Sequence, residues 1–142
     1  MCQVLYKRRR AIKSWLLLVV FIMNQQTLDE KQFLALYDAL EDEMAEVVTL
    51  YNQKSPLLLK EINQLLERDE LEAAADLVHT LKGSSTNLGL TYLVALCQEL
   101  EDGLRRSNQY SHHEALLYKL VCSEYENAQQ VLMEFCTEQS IL

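Results

Sequence analysis

Glycine and proline are nearly missing from this chain of 142 residues, which has three of the first and one of the second. A sandwich or barrel of many short strands needs far more turn punctuation, so the composition excludes those architectures and points to a few long helices. Disulfide scaffolds are excluded as well. Cys2, Cys97, Cys122 and Cys136 are widely spaced, with no CxxC pair and no Cys/His cluster at zinc spacing. That usage fits a reducing, cytoplasmic compartment and signals no metal site. Positive charge is also scarce: 13 basic residues against 21 acidic ones give a formal net charge of -8, which argues against a nucleic-acid partner. The longest apolar run, Trp15 to Met23, has nine residues. A membrane span needs about 20. Finally, no GxxxxGK[ST] phosphate loop, no kinase ATP-binding signature and no aspartate-bearing βαβ pattern is present, which removes the usual phosphoryl-transferring enzymes.

What remains is enough for one helical core. The length is that of a single domain, and 49% hydrophobic residues argue against global disorder. The charge is uneven. Lys7, Arg8, Arg9, Arg10 and Lys13 precede every acidic residue, so residues 23–142 carry 8 basic against 21 acidic residues, or -13. The basic opening and the apolar run after it form a leader, residues 1–22, with three open readings: an extension ahead of a start at Met23, a weak membrane-surface anchor, or an export signal lacking a small-residue cleavage site. The fold is expected in residues 23–142.

Within that segment Thr27-Leu28-Asp29-Glu30 has the form of a capping box and predicts a short helix with Phe33, Leu34, Tyr37 and Leu40 inward. From about Asp42 to Arg68, Met44, Val47, Val48, Tyr51, Leu58, Ile62, Leu65 and Leu66 recur at helical spacing. Pro56 predicts a kink or break near Lys54-Ser55. Asp69 is the expected N-cap of a helix over 70–88, with Leu71, Ala74, Val78, Leu81, Ser85 and Leu88 on one stripe and Gly89 as its stop. A helix over 90–106 places Leu93, Leu96, Cys97, Leu100 and Leu104 inward, and Arg105 and Arg106 suit its negative end. The last helix, 112–138, offers Leu117, Leu120, Val121, Ala128, Val131 and Phe135. The architecture is therefore all-α: an antiparallel up-down-up-down four-helix bundle with a short additional N-terminal helix. His112 and His113 are read as solvated residues at a helix start, because neighbouring side chains point about 100° apart and chelate poorly.

One helix breaks its own rules. Residues 79–89 read His-Thr-Leu-Lys-Gly-Ser-Ser-Thr-Asn-Leu-Gly. They concentrate poor helix formers, and a glycine alone costs about 1 kcal/mol against alanine in a helix interior. Such a local departure is expected where a site is served. His79 lies on the flank of the apolar stripe, and Asp76, Lys82, Gly83 and Thr86 share that flank at i-3, i+3, i+4 and i+7. An exposed imidazole is a usable nitrogen nucleophile, a lysine one turn on attracts a phosphoryl group, and a glycine leaves room for a partner's active site.

These residues resemble the phosphoacceptor motif of histidine-containing phosphotransfer (HPt) domains, the four-helix-bundle intermediates of multistep phosphorelays. The resemblance covers everything but the leader. It implies that His79 accepts a phosphoryl group on its distal nitrogen, that Lys82 faces the phosphate, and that Gly83 gives clearance. Asp76, Ser84, Thr86 and Asn87 are the implied partner contacts, with Ser84 and Ser85 also supporting local packing. Glu101 stands where some members hold a glutamine bonded to the histidine; a carboxylate there would orient the ring and favour its charged form. The implied partners are response-regulator receiver domains, which bring the aspartate and the magnesium ion, and a hybrid sensor kinase. The resemblance also implies a monomeric, cytoplasmic carrier without kinase activity or a cofactor of its own. The alternative is an HPt-like adaptor that docks receivers without transferring phosphate.

Overall fold

The computed structural model describes residues 16–20 and 25–142, and every α or 3-10 element among them is helical, with no strand. The basic cluster and the Met23 start lie outside the described residues. Of the leader, residues 16–20 are helical. Leu18 and Val19 line a groove together with apolar residues such as Leu96, Leu116 and Leu120 and the polar Glu99, Asp102 and Arg106. No helix among the described residues is long and apolar enough to cross a membrane.

Five helices follow: α1 (Glu30–Leu40), a 3-10 turn (Glu41–Glu43), α2 (Met44–Glu67), α3 (Leu71–Asn87), α4 (Thr91–Arg106) and α5 (His112–Glu138). The expected capping box at Thr27 does not form. Asp29 is the cap instead, its carboxylate accepting from Gln32 N at 3.1 Å, while Thr27 accepts from Asn127 Nδ2 at 3.2 Å. The reason is tertiary. Asp29 N donates to Gly89 O at 2.8 Å and Tyr92 N to Gln26 O at 3.0 Å, so residues 26–29 are a strap tied to the α3–α4 connection and cannot wind into the helix. Gly89 holds that crossing: its φ is +75°, and a Cβ there would stand 2.9 Å from Asp29 O.

Of the kink or break expected at Pro56, the break is absent: α2 runs through it as one helix of 24 residues. One backbone bond is lost, but Tyr51, Ser55, Leu59 and Ile62 are buried on both sides of the proline. Packing of that face outweighs the local defect. Asp69 is not the N-cap of α3 either. It adopts φ 59° in the α2–α3 turn, and its carboxylate accepts from Tyr110 N at 2.8 Å. Glu70 takes the cap position. α5 starts with a capping box that the sequence reading passed over, Ser111 with Glu114.

The helices alternate in direction. Residue numbers fall on one helix as they rise on the next in the pairs Glu72–Arg105, His79–Glu101 and Lys82–Gln98 between α3 and α4. The same holds where α5 closes on α2: Tyr118 Oη donates to Leu59 O at 2.9 Å, and the rings of Tyr51 and Tyr125 lie 6.1 Å apart. This is the antiparallel bundle expected, with α1 laid over one end through an edge-on Phe33–Phe135 contact at 5.5 Å. The predicted stripes of α3 and α4 are buried throughout. On α5, Val121, Ala128 and Phe135 are buried and Leu117 and Val131 pack partly buried against the core, but Leu120 is 48% exposed, and Tyr125 and Leu132 join the core instead. Cys97 is fully buried, and burial above all pushes its thiol up to about 12, as suits an inert core side chain.

Candidate functional site

The α3–α4 seam gathers most of the polar side chains that the sequence singles out. The α3 stripe through Val78, Leu81 and Ser85 faces the core, so His79 and Lys82 fall on the edge that meets α4. There Glu101 is 6% exposed yet fully engaged. Its Oε1 stands 2.9 Å from His79 Nδ1, and its Oε2 accepts from Lys82 Nζ at 2.7 Å. Arg105 reaches Oε1 from one turn on, at 3.3 and 3.4 Å, and extends to Glu72 at 2.6 Å and Asp76 at 3.0 Å on α3. Lys82 Nζ also donates to Gln98 Oε1 at 2.8 Å, and Gln98 Nε2 donates to Asp102 at 2.9 Å.

The electrostatics keep Glu101 charged. Burial raises the Glu101 carboxyl, but hydrogen bonds from Lys82 and Arg105, then from His79, outweigh it and hold the group below its ordinary value. Glu101 is thus an anion, which only accepts. Nδ1 must therefore donate, which leaves the lone pair of the neutral ring on Nε2. The His79 side chain is 63% exposed, and no group among the described residues bonds Nε2. A nucleophilic nitrogen on a clamped ring faces solvent.

The surroundings are open. A Cβ on Gly83 would meet nothing within 4 Å, so the space beside the ring is free for another molecule. On the other side of α3 an apolar groove of about 280 Å³ runs between α2 and α3, lined by Val47, Leu50, Leu58, Thr80, Ser84 and Asn87. Ser85 lies beneath it, fully buried and bonded to Tyr51 Oη at 2.8 Å.

The structure thus brings together four of the residues singled out by sequence, His79, Lys82, Glu101 and Asp76, the last through Arg105. Ser84 and Asn87 belong to the groove instead. Thr86 turns its hydroxyl onto Lys82 O at 2.7 Å, and its carbonyl accepts from Gln32 Nε2 at 2.6 Å. The residues missed are Gln98 and Arg105. Arg105 is expected as an end-of-helix charge that could also meet an acidic partner, and its i,i+4 spacing from Glu101 on α4 is the signal for its place in the seam. His112 and His113 are exposed, and no group of three or more metal-ligating side chains exists among the described residues.

The comparisons identify the family to which this helical bundle belongs. The Hpt domain profile matches residues 35–131, and the chain belongs to the Hpt family. Its fold is similar to the crystal structure of histidine-containing phosphotransfer protein B (HptB) from Pseudomonas aeruginosa PAO1. The two superpose with a TM-score of 0.73 at 22% identity, over 79% of this chain and 96% of that one. No curated protein matches the sequence. Membership assigns the chain a histidine phosphotransfer role in phosphorelays.

Proposed function

We propose that His79 accepts a phosphoryl group from the aspartyl phosphate of a receiver domain and passes it to the aspartate of another. The observation that carries this reading is the His79–Glu101 pair, which leaves Nε2 as the free, solvent-facing nucleophile. The Nε2 lone pair attacks phosphorus, the P–O bond to the partner's aspartate breaks, and its electrons return to that carboxylate. The ring, still carrying its Nδ1 proton, becomes cationic against Glu101. Donation reverses the same steps.

The chain contributes position and a charged seam; the receiver contributes the aspartate and its magnesium ion. Gly83 leaves the space the receiver's active site fills, and the α2–α3 groove with Thr80, Ser84 and Asn87 takes the partner's apolar surface. The upstream donor is a hybrid sensor kinase or its receiver, and the protein works as a cytoplasmic monomer without kinase activity. The test is transfer of label from phosphorylated receiver domains to the wild type and to His79→Gln. Acid-labile label on the wild type alone is expected. Equal label on both proteins would remove His79 from the role, and label on neither would leave a docking adaptor.

A further inference from the structure

Lys82 has an obvious task in this reading, to neutralise the phosphoryl group, and its surroundings argue for a different one. Its side chain is only 18% exposed, and its ammonium already serves two acceptors on α4, Glu101 Oε2 at 2.7 Å and Gln98 Oε1 at 2.8 Å. That seat is built, because Gln98 is itself held by Asp102 at 2.9 Å. The two oxygens of Glu101 are divided between duties. Oε2 belongs to Lys82, while Oε1 serves His79 Nδ1 and, at longer range, Arg105. A carboxylate pinned at one oxygen cannot rotate, so Lys82 fixes where the other oxygen points.

We infer that Lys82 is a positioning residue: it acts on His79 through Glu101 and not on the phosphoryl group. This rests on His79 being the acceptor. Swinging Lys82 out to a phosphate on Nε2 would give up both of its bonds on α4, to Glu101 Oε2 and Gln98 Oε1, and free the carboxylate to turn just when Oε1 must face a ring turned cationic. Lys82 stays on Glu101, and the charge of the phosphoryl group is met by the partner's cations.

The test is a double-substitution cycle of Lys82→Met and Glu101→Gln in the full chain, read by the initial rate of transfer from a phosphorylated receiver. If Lys82 works through Glu101, Lys82→Met slows transfer about tenfold in the wild type and less than about twofold in the Glu101→Gln background, since residues acting on one shared partner are not additive. An equal loss in both backgrounds overturns the inference and returns Lys82 to the phosphate. A second readout needs no receiver. The ring ¹⁵N resonances of unphosphorylated His79 are expected to report the Nδ1–H form in the wild type and a tautomer mixture in Lys82→Met; an unchanged ring spectrum overturns the inference. Should Lys82→Met fail to fold by circular dichroism, Lys82→Gln enters the same cycle under the same criteria. Failure of the carrier reading shows as no transfer to wild type, and the ring spectrum still decides the role of Lys82.

Discussion

Two buried carboxylates in different parts of the bundle, Glu101 and Glu124, show what burial does to an acid with and without neighbouring cations. Glu101, in the α3–α4 seam, is surrounded by Lys82, Arg105 and His79, and sits below its ordinary carboxyl value although burial alone would raise it. Glu124, where α5 meets the strap at Thr27, is 7% exposed, and among the described residues its Oε1 has no hydrogen-bond partner. Burial there dominates the bonds from Asn127 and Thr27 and raises the group. Burial is shared; compensation is not. An anion beside a nucleophilic ring is useful only if it stays charged and stays put, and the lysine and arginine of the seam ensure both.

The largest expected effect breaks the open side of the site without touching either carboxylate. Since a Cβ on Gly83 meets nothing and arginine is the better helix former, Gly83→Arg should fold with a thermal midpoint no lower than wild type, yet lower transfer from a receiver about a hundredfold by filling the space the partner occupies. Normal transfer by a folded Gly83→Arg would mean that the partner approaches from elsewhere. Next comes the seam itself. Glu101→Leu removes the shared acceptor and leaves Lys82 and Arg105 facing each other across an apolar side chain. Unfolding in urea should show a loss of about 3 kcal/mol, the scale for stripping one partner from a buried pair. Chemical phosphorylation of His79 should slow as well, because nothing then selects the Nδ1–H form.

This contrast was only partly readable in advance. The inward stripes of α3 and α4 and the stop at Gly89 follow from spacing alone, because one periodic face buried on a neighbour leaves little choice. His79, Lys82 and Gly83 stand out because the stretch that holds them interrupts a good helix with a glycine, serines, threonines and an asparagine. Elements fixed by distant backbone were not legible. Thr27 and Asp69 both look like caps, but Thr27 is drawn to Asn127 and Asp69 to Tyr110 N, 100 and 41 residues away. Pro56 signals a break that burial of the α2 face overrides. Leu120 looked inward because a stripe predicted over 27 residues drifts, and Arg105 looked like an end charge because its partners Glu72 and Asp76 lie on another helix.

Acid titration separates the two carboxylates by sign. For Glu101 the folded value is depressed, so its contribution is present above the unfolded carboxyl range and is lost as pH falls through the folded value. For Glu124 the folded value is raised, so its favourable protonation is complete below the unfolded range and is lost as pH rises through the folded value. Measured between pH 7 and pH 3, the wild type should therefore lose stability more steeply than Glu101→Gln, which has shed the first term. Parallel curves would show that Lys82 and Arg105 do not hold Glu101 charged.

The smallest effect is the one that most sharpens the comparison. Glu124→Gln keeps the shape of the side chain and the acceptor toward Asn127, removes a charge that nothing neutralises, and adds an amide that the lone Oε1 position does not oppose. At pH 7 this should be neutral or stabilising by up to about 1 kcal/mol, whereas the same chemical change at Glu101 should destabilise, since there it discards two charge-assisted hydrogen bonds. Transfer to His79 should be untouched, as Glu124 lies outside the seam. A destabilised Glu124→Gln would mean that the strap end holds Glu124 in its charged form, and the two regions would then differ only in their distance from the histidine.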